Sequence, residues 1–389
     1  MNKSTASRPE PTQRTKLLVW AAAAGRCTFC NHLVTENDNL GLEVPIGELA
    51  HNVGWSETSP RGESELDRDE RREPENLLLL CRNCHKPTDD NGVIGLYTVE
   101  RLTQFKRDHE ERIRFLTEIG ADRTAVALRV VGPIRGVNPH LTYDAVLEAT
   151  AAAGIFPQTL PGVHRAELDL DFRSFADIGT PAHFQMCANE IDTLATRLSD
   201  GIRRDEISRL AVFGFARIPV LVHLGARLDD KIPTLVFQRH RVDDANAWKW
   251  PDNSAAPPSF SVQQIKEGDD GTVALVVSLS GSIRTDELPE DIAAHSSVYE
   301  LVPTAPGTTG PSLIDSPAAL QRFDDTVRRF LADVERDHGK VPAISLFAAV
   351  PVSGAVTLGR VLMPHVSPAW HVYDRDEHNQ FFKALEVRR

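Results

Sequence analysis

Apolar positions along this chain follow a helical period, then a strand period, then a repeated strand-turn-helix period, with long polar stretches between. "TQRTKLLVWAAAAG" at 12–25 reads as a short helix stopped by Gly25. "GELAHNV" reads as a short strand carrying His51, and 55–75, "WSETSPRGESELDRDERREPE", as a polar, irregular surface loop. Asn76 then opens the apolar run Leu77–Leu80. From Thr98, the residues Val99, Leu102, Phe105, Ile113 and Leu116 fall near helical spacing, so a helix closes a first domain. "EIGADRT" places its boundary near 121, and residues 1–10 read as disordered.

Beyond 121 the pattern becomes α/β. "AVALRVVGPIRG" reads as a strand, and residues 210–228 align without a gap on 344–362, at an offset of 134. Phe213, Leu224 and Gly225 then match Phe347, Leu358 and Gly359. A short strand follows each copy, "TLVFQRH" and "AWHVYDR", so each reads as a βαβ unit with right-handed crossover, the repeat units lying around 205–245 and 340–378. Two such units predict a pseudo-twofold platform whose strand ends and helix N-termini face a common crevice. In the second copy Pro351, Ser353 and Gly354 stand at the strand-to-helix turn, where backbone N–H groups favour an anion.

Composition narrows the class without naming it. The chain has 389 residues, 41% hydrophobic and 25% charged, as in a soluble globular protein of two or three domains. No run of about 18 apolar residues could span a bilayer, and the start shows no apolar targeting segment, so a cytoplasmic protein is expected. The net charge is −12, and acidic residues outnumber basic ones on both sides of 121. Bulk charge therefore does not announce a nucleic-acid binder. DNA contact would need local clusters such as Arg68, Arg71, Arg72, Arg82 and Lys86.

The most specific chemistry lies in the cysteines. Four of the five form Cys27-x-x-Cys30 and Cys81-x-x-Cys84, two knuckles that can close one tetrahedral thiolate site around a structural zinc ion. A domain of roughly 100 residues gains from such a staple. Cys187 stands apart as a small buried hydrophobe. Around the knuckles His51, Asn76 and His85 form a polar set suited to phosphodiester hydrolysis: His51 as the base that activates water, His85 to hold a cation, Asn76 to bond the loop or the imidazole.

On "CTFC", His51 in "LAHNV", Asn76 in "ENLLLLC" and His85 in "CRNCH", residues 1–121 resemble an HNH nuclease domain of the zinc-stabilised ββα-metal type. The resemblance implies an α+β fold and one catalytic divalent ion, Mg²⁺ or a transition metal, with His51 as general base and His85 as ligand. Many HNH enzymes carry a metal-binding Asp just before the base. This chain has Ala50, which leaves Glu48, another carboxylate such as Asp89 or Asp90, or a backbone carbonyl, with Glu48 favoured.

On "FARIPVLVHLG", "LFAAVPVSGAVTLGRVL" and "HVYDR", residues 122–389 resemble an α/β SAVED domain, two fused CARF-like, Rossmann-like units. The whole is similar to HNH–SAVED effectors of the bacterial anti-phage systems called CBASS. That implies a sensor for a cyclic di- or trinucleotide made by a partner nucleotidyltransferase, homo-oligomerisation on activation, from dimer to tetramer or higher, cleavage of double-stranded DNA and no membrane. Such a ligand needs aromatic faces and donors, for which Trp248, Lys249, Trp250, Arg217, Ser353 and Gly354 are the candidates. Two other readings remain: a restriction-type nuclease with a DNA-reading carboxy-terminal domain, and a non-enzymatic zinc-knuckle adaptor.

Overall fold

The computed structural model describes residues 10–35, 45–90, 92–120, 123–134, 136–137, 140–158, 168–175, 179–228, 231–241, 246–251, 256–305 and 307–389. The expected disorder of 1–10 falls almost wholly outside the described residues. The chain divides into two compact units, 1–120 and 121–389.

The first unit is built from α1 (Gln13–Ala22), β1 (Gly47–His51), β2 (Leu77–Cys81), α2 (Arg82–Thr88) and α3 (Val99–Thr117). Gly25, at φ +65°, sends its N–H back to Trp20 O and ends the first helix, as the sequence suggested. β1 and β2 pair antiparallel with Gly47 opposite Cys81 and His51 opposite Leu77. All five residues of β2 are buried, because the four leucines fill both faces of the hairpin. The core gathers them with Val19, Val34, Ala50, Leu102 and the cysteines Cys27 and Cys81. α3 buries only Leu102 and His109, whose Nε2 lies 3.2 Å from Ala23 O; Phe115 and Leu116 are exposed.

The second unit runs β3 (Thr124–Val131), α4 (Tyr143–Ala152), β4 (Phe156–Gln158), β5 (Asp169–Asp171), α5 (Pro181–Arg203), β6 (Leu210–Phe215), α6 (Ile218–Arg227) and β7 (Thr234–Phe237). It continues through β8 (Phe260–Lys266), β9 (Val273–Ser278), α7 (Glu290–His295), β10 (Ser297–Pro303), α8 (Pro317–His338), β11 (Ala343–Ala349), α9 (Val352–Arg360), β12 (Ala369–Arg375) and β13 (Phe381–Val387). One sheet has the order β4-β3-β6-β7, with β5 also on β3, and the other β13-β12-β11-β9-β10-β8. The parallel trios β3-β6-β7 and β9-β11-β12 correspond, and each sheet buries alternate residues on opposite faces. Leu210 and Val212 point into a core shared with Ile344, Leu346 and the helices α5, α6, α8 and α9; Ala211 and Phe213 point out toward α4.

The duplication seen in the sequence is written into the contact between the two halves. A Cβ on Gly225 would lie 1.9 Å from Val356 O, and one on Gly359 would lie 1.9 Å from Val222 O. Val222 and Val356, like Gly225 and Gly359, are 134 residues apart. α6 and α9 therefore touch backbone to backbone about a local twofold, an approach no side chain larger than hydrogen permits. Gly359→Ala must push the helices apart and should destabilise the 121–389 unit by about 1–3 kcal/mol. Thermal melting checks it, and an unchanged midpoint would contradict the close approach.

Candidate functional site

In the first unit, the Sγ atoms of Cys27, Cys30, Cys81 and Cys84 all lie within 4.8 Å of one another. Cys30 Sγ and Cys81 Sγ are 3.8 Å apart. Four sulfurs set tetrahedrally about 2.3 Å from one ion stand about 3.8 Å apart, so the donor set fits zinc in size, number and chemistry. The first knuckle is closed by Asn31, at φ +58°, whose N–H reaches Cys27 O at 2.8 Å, and by Thr28 N–H on Leu79 O at 2.8 Å. The second straddles the junction of β2 and α2. Burial alone pushes the Cys27 thiol up, but N–H groups of Cys30, Cys81 and Phe29 outweigh it and hold the thiol below its ordinary value. Cys30 and Cys84 are raised, by burial first, and Cys84 further by the neighbouring sulfurs. A cation is what such a crowd of sulfurs needs to become four thiolates.

His85 leaves this knuckle on α2 and sits between two carboxylates. Its Nδ1 is 2.7 Å from Glu48 Oε2 and its Nε2 is 3.8 Å from Asp89 Oδ2. Two of the carboxylates considered from sequence thus stand beside His85, whereas the Oδ1 of Asp90 accepts from Gly92 N–H. His51 ends β1 and is 9% exposed. Asn76 takes the first of its two possible roles: its Nδ2 donates to Val53 O at 2.9 Å and Arg71 O at 3.0 Å, and its Oδ1 accepts from Val53 N–H at 2.8 Å. It fixes the loop that follows His51.

The loop 55–75 departs from the plain surface loop expected. Two arginines organise it. Arg71 is 4% exposed, and its guanidinium donates to the carbonyls of Gly54, Gly62, Ser64 and Leu66. Arg61 donates to the carbonyls of His51, Asn52 and Thr88 and to the Asp89 carboxylate. Arg71 is therefore removed from the expected DNA-contacting cluster, because its fork is consumed inside the protein, and Arg72 is paired with Asp69. Arg68, Arg82 and Lys86 remain exposed. No local signal marks Arg61 or Arg71 in sequence, since a carbonyl acceptor belongs to every residue alike and nothing in the letters shows which ones the fold turns toward a guanidinium.

In the second unit a crevice of about 320 Å³ opens at the carboxyl ends of β6, β11 and β12, where the repeat placed it. Arg217, Val350, Tyr373, Asp374, Arg375 and Phe381 are among its walls. Arg217 reaches across from the first repeat to the second: its Nε is 2.9 Å from Asp374 Oδ2 and its Nη2 2.7 Å from Arg375 O. Arg375 pairs with Glu287 and lies 4.0 Å over the Phe381 ring. Asp374 and Arg375 are the residues missed here, although the "HVYDR" strand that carries them was singled out.

The other expected ligand contacts are relocated. Trp248 is 2% exposed and edge-on to Phe213 at 5.5 Å, so it is a core residue and offers no face to a ligand. Lys249 pairs with Glu148 at 2.8 Å. Trp250 borders a different hollow of about 480 Å³, between β7 and α8. The anion cradle expected at Pro351, Ser353 and Gly354 is filled by protein: Gln238 Oε1 accepts from Ser353 N–H at 3.1 Å and from its hydroxyl at 2.7 Å. Ser353 is fully buried, and a Cβ on Gly354 would meet Val350 Cγ2 at 2.4 Å. Val350 and Val352, on either side of Pro351, line the crevice instead.

No helix among the described residues is long and apolar enough to cross a membrane. The model of the family described as the SMODS-associated and fused to various effectors sensor domain, SAVED, matches residues 190–387. No curated protein matches the chain. Among solved structures, the chain is similar to the Acinetobacter baumannii Cap4 SAVED/CARF-domain containing receptor with the cyclic trinucleotide 3'3'3'-cAAA, at 13% identity and a TM-score of 0.44, over 75% of this chain and 62% of that one. The same receptor with 2'3'3'-cAAA gives 15% identity and 0.44, over 75% and 61%. The Moraxella osloensis Cap4 receptor gives 15% and 0.38, over 59% and 49%. The chain thus spans less than two thirds of the length of these receptors.

Proposed function

The chain belongs to the SAVED family of sensor domains, and from that membership and the chemistry of residues 1–120 we propose that it is a ligand-gated DNA endonuclease. On this reading a cyclic oligonucleotide binds the crevice of the second unit and releases phosphodiester hydrolysis by a zinc-braced, HNH-type site in the first, as part of CBASS-type defence. The observation that carries the nuclease half is the His85 imidazole held between Glu48 and Asp89, on the helix that leaves the second knuckle. The order β1, β2, α2 supports the same reading.

The two ring nitrogens of His85 divide the labour. Nδ1 is 2.7 Å from Glu48 and Nε2 is on the Asp89 side, so a cation taken up at Nε2 would leave the Nδ1–H to donate to Glu48. Nε2 and Asp89 Oδ2, 3.8 Å apart, are the two donors that would hold a divalent cation, after closing on it by some tenths of an ångström. Asp89 would thus complete the cation's pair of ligands, and Glu48, favoured as ligand from sequence, would orient the imidazole from behind. Once bound, the cation supplies charge neutralisation at the phosphorane and the leaving oxygen. His51 takes the proton of the attacking water at a ring nitrogen, and Asn76 keeps the loop after it in place. Arg82 and Lys86, exposed one turn apart beside His85, suit DNA phosphates.

In the crevice, Arg217 and Arg375 would exchange their Asp374 and Glu287 partners for phosphate, and Tyr373, stacked on Phe347 by one face, would offer the other to a base. The deciding experiment is plasmid degradation by the full chain with Mg²⁺ and a panel of cyclic di- and trinucleotides. Cutting at full rate without any of them would reject the gating. Arg217→Ala should weaken activator binding by at least about tenfold, the worth of one charge-assisted pair, with zinc content unchanged. Calorimetry checks it, and unaltered affinity would remove Arg217 from the binding site.

A further inference from the structure

We infer that Arg61 is a positioning residue, a strut that sets the spacing between the strand carrying His51 and the carboxylate facing His85; the inference rests on the nuclease reading above. The hairpin ladder holds His51 against Leu77, and α2 continues directly from β2. Glu48 ties the middle of β1 to His85 in the middle of α2, and the end of α2, at Thr88 and Asp89, needs a further tie to the end of β1. The Arg61 guanidinium supplies it. Its side chain is 7% exposed. Its Nε donates to Asn52 O at 2.8 Å and its Nη1 to Thr88 O at 2.5 Å. A single nitrogen, Nη2, reaches both His51 O at 3.2 Å and Asp89 Oδ1 at 3.0 Å.

The two Asp89 oxygens are thereby assigned separate tasks. Oδ1 is held by Arg61, which turns Oδ2 toward His85 Nε2. The planar fork makes this possible, since only arginine offers donors in several directions from one rigid group. The backbone supports the same conclusion. Arg61 lies at φ +57°, a left-handed conformation that glycine or asparagine adopts more easily. The contacts of the guanidinium offset that backbone cost.

Two variants test the strut in the full chain. Arg61→Lys keeps the charge and loses the fork; Arg61→Gly removes the side chain and relieves the backbone, so folding is favoured at that position. Both should retain zinc, while Mn²⁺ affinity by calorimetry and the single-turnover cleavage rate each fall about 10–100-fold and KM for DNA stays within about twofold. Asp89→Asn marks the background of Mn²⁺ binding. Variants that bind Mn²⁺ and cut DNA as wild type does would overturn the strut and leave the nuclease reading standing. If wild type cuts no DNA with any activator, yet both variants weaken Mn²⁺ binding, the nuclease reading fails and the strut stands. A wild type that neither binds Mn²⁺ above the Asp89→Asn background nor cuts DNA would overturn both.

Discussion

Removing the metal from the four cysteines, or replacing Cys81 with serine, is expected to unfold residues 1–120 and leave 121–389 folded. Among the described residues the first unit has one small buried cluster, and two of its members, Cys27 and Cys81, are donors of the thiolate site. Structural zinc contributes about 10–16 kcal/mol of apparent binding free energy in small domains, comparable to or above the whole stability of an ordinary one. Cys81 also ends β2 and precedes α2, so its loss frees the leucine strand and the helix carrying His85 together. Attack by a chelator has an entry point, because Cys30 is exposed whereas Cys27 is buried. The measurement is zinc release against a metallochromic dye, followed by hydrogen exchange. About one zinc per chain should be released, with exchange of the Leu77–Leu80 amides rising to the unfolded rate while β6 and β11 stay protected. Protection of β2 in fully chelated protein would show that the leucine hairpin stands without its metal.

What the sequence made legible divides along a physical line. Local periods and short spacings carried far: the helix stopped by Gly25, the strand ending in His51, the helix after Thr98, and both strand-turn-helix copies lie where their patterns put them. The 134-residue offset even located the two glycines that meet across α6 and α9, because a close backbone approach leaves a glycine in the sequence. Side chains that act at long range left no such mark. Gln238 sits 115 residues from the helix end it caps, and nothing near Ser353 announces that its N–H is already taken. The Trp248 pattern is read equally well as a ligand platform or as core, and only the ring of Phe213 decides. Arg71 looked like one of a surface cluster because charge alone cannot tell a solvated guanidinium from one surrounded by carbonyls. β9, "VALVVS", is apolar at nearly every position, as a strand covered on both faces must be, and so lacks an alternation that would set it apart.

His51→Ala should lower activator-stimulated DNA cleavage by about 10²–10⁴-fold, the usual worth of a positioned general base. The residue is well placed for a test of role rather than of folding. It ends β1, its carbonyl is already held by Arg61, and its backbone pairs with Leu77, so shortening the side chain leaves the hairpin connections intact. Because the residue is 9% exposed, His51→Gln should accompany it as a variant that fills more of the space and still lacks a base of matching strength. Single-turnover cleavage of supercoiled plasmid at saturating activator reads the chemical step without interference from product release. Zinc content, activator affinity and Mn²⁺ affinity should all match wild type. That last comparison separates the two imidazoles: His85→Ala should lose cleavage and Mn²⁺ affinity together, since His85 faces Asp89, whereas His51→Ala should lose cleavage alone. Retention of full cleavage in both His51 variants would exclude His51 as the base. Loss of Mn²⁺ binding in them would make it a ligand, and the proton would then need another acceptor.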